Sequence, residues 1–186
     1  MSHPNKAEVL KRFLKENDLQ SCIAMLNQAT DDDLQNLQFL TAANDIQRAL
    51  KDHKQALFYA EVLLKEHPNK PVGYIRTSQE NLCLGRKNIA RRTIEDGLNR
   101  FPEHQGILTI AHQVFLALED FTSALVHAQA LHTKHPSLPV GFIGAAHDLL
   151  QLDQPAKALD TIRDGLSHHP DHIHLLNIGI NAARAL

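Results

Sequence analysis

Apolar residues recur along this chain at helical spacing. Tyr74, Ile75, Leu82 and Leu84 form one such stripe, and Ile89, Ala90, Ile94 and Leu98 form the next. Gly85 lies between them and predicts a turn. The first stripe begins at Pro71, where a missing backbone N–H costs a helix little. The second stops before Pro102, because the residue preceding a proline is driven out of the helical region. No segment alternates apolar and polar residues as a half-buried strand would. The pattern predicts an all-α chain.

The same punctuation returns at a fixed interval. Pro68, Pro102, Pro136 and Pro170 are each 34 residues apart, as are Ala56, Ala90, Ala124 and Ala158. A small residue is required at such a place if two helices cross there at short range. A longer period is superimposed. Residues 71–104 and 139–172 share 14 of 34 positions, including Pro71/Pro139, Val72/Val140 and Gly73/Gly141. Residues 37–70 and 105–138 share 12 of 34. The chain therefore reads as a duplicated pair of repeats, 37–104 and 105–172. A degenerate copy over 3–36 precedes them, and half a copy over 173–186 follows. Asp18, Asp52 and Asp120 fall in the cap region before second helices, and Asp153 with Pro155 is read as the corresponding start in the fourth unit. Asp31, Asp32 and Asp33 read as the start of the helix that follows, since carboxylates favour helix N-termini.

At this point the sequence resembles the tetratricopeptide repeat family. The 34-residue helix–turn–helix unit carries a large residue at its fourth place (Leu40, Tyr74, Leu108, Phe142), the recurring alanine at its twentieth and the recurring proline at its thirty-second. It departs from the family pattern at two places. Tryptophan is absent from the fourth, and glycine from the eighth, where Asn44, Ser78, His112 and Ala146 stand. The resemblance implies a right-handed superhelical solenoid forming a single array over residues 1–186, each unit touching mainly its neighbours.

The resemblance also implies that first helices line a concave groove. Its expected residues are Asp45 from the first full unit, and Val72, Ile75, Gln79 and Leu82 from the second. Thr109, Gln113 and Leu116 follow from the third, Val140, Ile143 and His147 from the fourth, and Asn177 and Asn181 from the terminal helix. The amides form a polar file that can pair with the backbone of an extended peptide, and the apolar members flank it. The expected function is thus a non-catalytic scaffold holding a protein or peptide partner. Family members that clamp acidic C-termini need cationic residues on successive first helices. Here only Arg76 stands near the file, which argues against that class.

The remaining composition narrows the partners. Net charge is −2 over 186 residues, so nucleic acid is not an expected partner. No apolar run approaches the ~20 residues needed to span a bilayer, and Met1–Leu10 has no apolar leader core. Two cysteines, Cys22 and Cys83, form no disulfide framework, and with the missing leader they point to a cytoplasmic protein. Both read as structural thiols. There are thirteen histidines, but no four-ligand pattern with cysteine, so neither a metal nor a cofactor is expected. His67, His135 and His169, each before a repeat proline, are expected to bond free carbonyls at helix ends. His172 and His174 offer at most adventitious nickel or zinc binding. Motifs for hydrolases, phosphate loops and metalloproteases are missing.

The terminal stretch is apolar over much of its circumference. Leu175, Leu176, Ile178, Ile180 and Leu186 are expected to form a docking face for self-association or for a following domain. The phrases Gly97–His104 and Gly165–His172 resemble repeat segments of bacterial polysaccharide-synthesis proteins. The alternative reading is therefore an N-terminal regulatory or assembly region of a bacterial surface-polysaccharide glycosyltransferase.

Overall fold

A computed structural model describes residues 5–186. They form eleven α-helices and no strand. In chain order the helices are α1 (Lys6–Lys15), α2 (Leu19–Leu26), α3 (Leu37–Ala49), α4 (His53–Glu66), α5 (Pro71–Cys83), α6 (Lys87–Arg100), α7 (Gln105–Ala117), α8 (Phe121–Lys134), α9 (Pro139–Gln151), α10 (Pro155–His168) and α11 (Ile173–Arg184). The chain divides into two compact units, one ending at Ala90 and the other covering Arg91–Leu186. In the first, α3 packs on α4 and α4 on α5. In the second, α7 packs on α8, α8 on α9, α9 on α10, and α11 against both α9 and α10.

The turn inside each helix pair repeats to the residue. Asn17, Lys51, Gly85, Glu119 and Asp153, each 34 apart, all hold positive φ between 55° and 72°. Only Gly85 adopts that left-handed geometry without a side-chain penalty. The next residue begins the second helix. Asp18, Asp52 and Asp120 accept hydrogen bonds from the backbone N–H of Ser21, Gln55 and Ser123. Asp153 is one position early for that role. It is the left-handed turn residue, and Gln154 occupies the cap without a side-chain bond, leaving Pro155 to start α10. The aspartate run also differs from expectation. Asp33 opens a short 3-10 turn, and Asn36 caps α3 by accepting from Gln38 and Phe39 N–H. Asp33 instead pairs with Lys6, 2.5 Å away on α1.

The recurring alanines are fully buried, as is Cys22 in the same phase. A second close approach exists at Gly73 and Gly141. A Cβ at Gly73 would lie 2.6 Å from Leu64 Cα, and one at Gly141 would lie 2.5 Å from the His132 backbone nitrogen. Those glycines let α5 press on α4, and α9 on α8, backbone to backbone. The corresponding places in α3 and α7 carry Phe39 and Ile107, both buried. Glycine and a large residue therefore alternate at this place, in step with the 68-residue period. At the eighth place, Asn44 replaces the family's glycine and donates to Ala56 O at 2.8 Å, joining α3 to α4 inside the core.

The histidines before the repeat prolines bond carbonyls one repeat away and not at their own helix ends. His67 Nε2–H donates to Gln35 O (2.9 Å), His135 to Glu103 O (2.8 Å) and His169 to Pro136 O (3.0 Å). Each latch satisfies a turn carbonyl that lacks a helical partner.

Candidate functional site

In the first unit the first-helix faces belong to α3 and α5, and their polar groups are spent on each other. Arg76 Nη2 lies 2.6 Å from Asp45 Oδ1. Arg48 Nη1 donates to Gln79 Oε1 at 2.7 Å and stands 3.2 Å from Glu80 Oε1, off the hydrogen-bond direction. Asp45 and Gln79 thus each have a partner on the neighbouring first helix. Val72, Ile75 and Leu82 are half-buried, with Val72 packed against the core of the unit. Sequence reasoning passed over Arg48 as a partner. The signal was a separation of 31 residues, shared by Asp45–Arg76 and Arg48–Gln79, which places two side chains opposite each other on consecutive first helices.

In the second unit the corresponding faces belong to α7, α9 and α11. Thr109 spends its hydroxyl on Gln105 O of its own helix (2.9 Å). Leu116 and Ile143 are half-buried, and Ile143 packs into the core. Gln113 is exposed and has no hydrogen-bond partner among the described residues. His147 is exposed, its Nδ1 3.6 Å from Asp148 Oδ1. Val140 beside them is 40% exposed, and Asn177 and Asn181 are exposed on α11.

Beneath this face lies a buried polar pair that the sequence did not reveal. His112 Nε2 meets Asp148 Oδ2 at 3.0 Å, and Asp148 is fully buried. Its Oδ1 has no hydrogen-bond partner among the described residues. Gly144 makes room for the ring, since a Cβ there would stand 2.7 Å from His112 Cε1. The first unit has a counterpart 68 residues earlier. Glu80 is fully buried, and its Oε2 accepts from His53 Nδ1–H at 2.9 Å. Each pair ties consecutive repeats through groups that would be costly to leave unpaired.

Two other histidines are aromatic neighbours. His132 stacks on Phe142 (4.8 Å between centroids), and His127 on Phe115 (5.1 Å). Burial holds both imidazoles below their ordinary pKa of 6.5, with repulsion from His112 adding to the effect at His127. The unfolded chain then binds protons more readily than the folded one. The stability these neutral rings contribute is present above pH 6.5 and is lost as pH falls toward the lower folded values. The expected result is a melting temperature that falls on acidification from ~pH 7 to ~pH 5. The slope should flatten in a His127→Gln/His132→Gln chain measured by circular dichroism.

The docking face expected on α11 divides. Leu175 is fully buried in the core formed with Phe142, Ala158 and Ile162, and Ile178 packs against that core. Leu175 is therefore a core residue, because α11 turns the Leu175–Ala182 side toward α9 and α10. Leu176, Ile180 and Leu186 remain exposed, together with Ile173. Cys22 is buried and its thiol is pushed up by desolvation, whereas Cys83 is exposed at the end of α5. A cleft of the first unit lined by Ile23, Leu26, Gln47 and Tyr59 lies away from every expected site residue. Among the described residues, no helix is long and apolar enough to cross a membrane.

The fold is shared with solved structures. A tetratricopeptide repeat protein from Parabacteroides merdae superposes with a TM-score of 0.78 at 18% identity, covering 96% of this chain and 71% of that one. PilW, a widely conserved type IV pilus biogenesis factor, gives 0.77 at 17%, covering 97% and 84%. YrrB, described as a TPR protein with an unusual peptide-binding site, gives 0.71 at 15%, covering 95% and 89%. The chain has the tetratricopeptide repeat fold. No sequence-family profile and no curated protein matches it. Nothing in these comparisons supports the polysaccharide-synthesis reading.

Proposed function

We propose that the protein is a non-catalytic scaffold that holds an extended peptide or a peptide-like segment of a partner protein across α7 and α9. The observation that supports this reading is selective exposure. The polar groups on the first-helix faces of α3 and α5 are paired internally, while Gln113 and His147 are left open beside the exposed Val140. An amide that can both donate and accept suits a backbone that presents both groups. The buried His112–Asp148 pair joins α7 to α9 directly beneath, so the surface is held in one conformation before a ligand arrives. YrrB, which shares the fold, is described as having an unusual peptide-binding site, and a peptide ligand is in keeping with that description.

A Gln113→Ala/His147→Ala chain tests the reading. Peptides selected from a random library on the wild-type chain should bind the double variant at least about tenfold more weakly, a loss of ~1.4 kcal/mol. The melting temperature should stay nearly unchanged, because both side chains are exposed. Equal loss of binding and stability would assign these residues to the packing of the repeats.

A further inference from the structure

The geometry points to a transition-metal site at the junction of α4 and α5, formed by His53, Glu80 and Cys83 and suited to Zn²⁺. A ring nitrogen of His53, a carboxylate oxygen of Glu80 and the Cys83 thiol sulfur all lie within 4.8 Å of one another. Among the described residues this is the one group of three metal-binding side chains so close. Glu80 and Cys83 are three apart on α5 and so share one face of that helix, while His53 is the first residue of α4.

The donor set is a nitrogen, an oxygen and a sulfur, the mixture that Zn²⁺ accepts with bonds of about 2.0–2.3 Å. Tetrahedral bonds of that length place ligand atoms about 3.3–3.8 Å apart. His53 Nδ1 and Glu80 Oε2 stand at 2.9 Å and need to open slightly, whereas Cys83 needs to close. Both movements fall on side chains with room to turn: His53 is partly exposed and Cys83 is exposed. Glu80 is the fixed element. It is wholly buried, and its other oxygen faces the Arg48 guanidinium. Arg48 thereby orients the carboxylate from outside the ligand set, as outer partners do in metal sites. Beside His53, a shallow depression lined by Leu50, Lys51 and Leu84 admits water to the fourth position.

In the empty site a proton bridges His53 Nδ1 and Glu80 Oε2. The ion takes that proton's place, the neutral ring regaining a proton at Nε2 by exchange with solvent, and the Cys83 thiol proton passes to buffer as the thiolate coordinates. The separate row of histidines at His168, His169, His172 and His174 contains no group of three within ligand range.

Cobalt(II) titration of the full chain tests the site, because a thiolate ligand gives a charge-transfer band that imidazole and carboxylate do not. The expected result is one Co²⁺ per chain with that band, displaced by Zn²⁺, and slower labelling of Cys83 by a thiol reagent when Zn²⁺ is present. Cys83→Ser should abolish the band. His53→Gln should keep a thiolate ligand but weaken binding at least about tenfold. A His172→Ala/His174→Ala chain should bind as wild type. The proposal fails if no thiolate band forms, if Zn²⁺ leaves Cys83 labelling unchanged, or if binding is lost only in the His172/His174 variant.

Discussion

Gly141→Ala is expected to destabilise the second unit by about 3 kcal/mol, the upper end of ordinary overpacking. Alanine normally improves a helix interior by up to ~1 kcal/mol over glycine, so propensity alone predicts the opposite sign. Space decides the outcome. The added Cβ would stand 2.5 Å from the His132 backbone nitrogen, and 2.9 Å from its Cα. These are backbone atoms of α8, and no rotamer change can move them. Relief requires α9 to lift from α8, which would break the stacking of Phe142 on His132. Gly73→Ala should act in the same way through Leu64. Gly179→Ala is the control, since its Cβ would meet only the Ile162 Cγ2 methyl, at 3.1 Å. Urea denaturation compares the three. A Gly141→Ala chain as stable as wild type would mean that α8 and α9 are not in backbone contact.

The second large effect belongs to the buried pair. His112→Ala removes the partner of Asp148 Oδ2 and leaves a fully buried carboxylate whose Oδ1 already lacks a hydrogen bond. Breaking a buried pair from one side costs about 3–5 kcal/mol. Removing both polar groups together is different, because no unpaired charge remains. A His112→Phe/Asp148→Leu chain should recover most of the lost stability, with only its altered volume to accommodate. Wild type, His112→Phe, Asp148→Leu and the double variant form a double-mutant cycle in urea denaturation. Additive losses would mean that the two side chains do not stabilise each other.

What could be read from residues alone was what local chemistry dictates. The proline interval, the small residue of the crossing, the glycine turn and the aspartate caps at Asp18, Asp52 and Asp120 all follow from backbone geometry within a few residues. Errors came where one register step or one helix face decides. Asp153 looks like a cap but phases with Gly85, one residue before the cap position. Leu175 looks like its neighbours Leu176 and Ile180, because α11 is apolar on several sides and only packing against α9 and α10 selects one. The residues of the expected polar file lie on first helices, and their freedom depends on Arg48 and Arg76 reaching across from adjacent helices. Glu80 was missed because it stands among Ser78, Gln79 and Asn81, where a buried carboxylate and a solvated one look alike, and Asp148 because it adjoins the exposed His147 and only packing separates the two.

The central claim is that an extended ligand lies on α7 and α9. Amide hydrogen exchange on the full chain, with and without a library-selected peptide, tests it most directly. The account predicts added protection within 105–117 and 139–151, diminished in the Gln113→Ala/His147→Ala chain. Protection confined to α11 or to the first unit, unaffected by that double substitution, would contradict it.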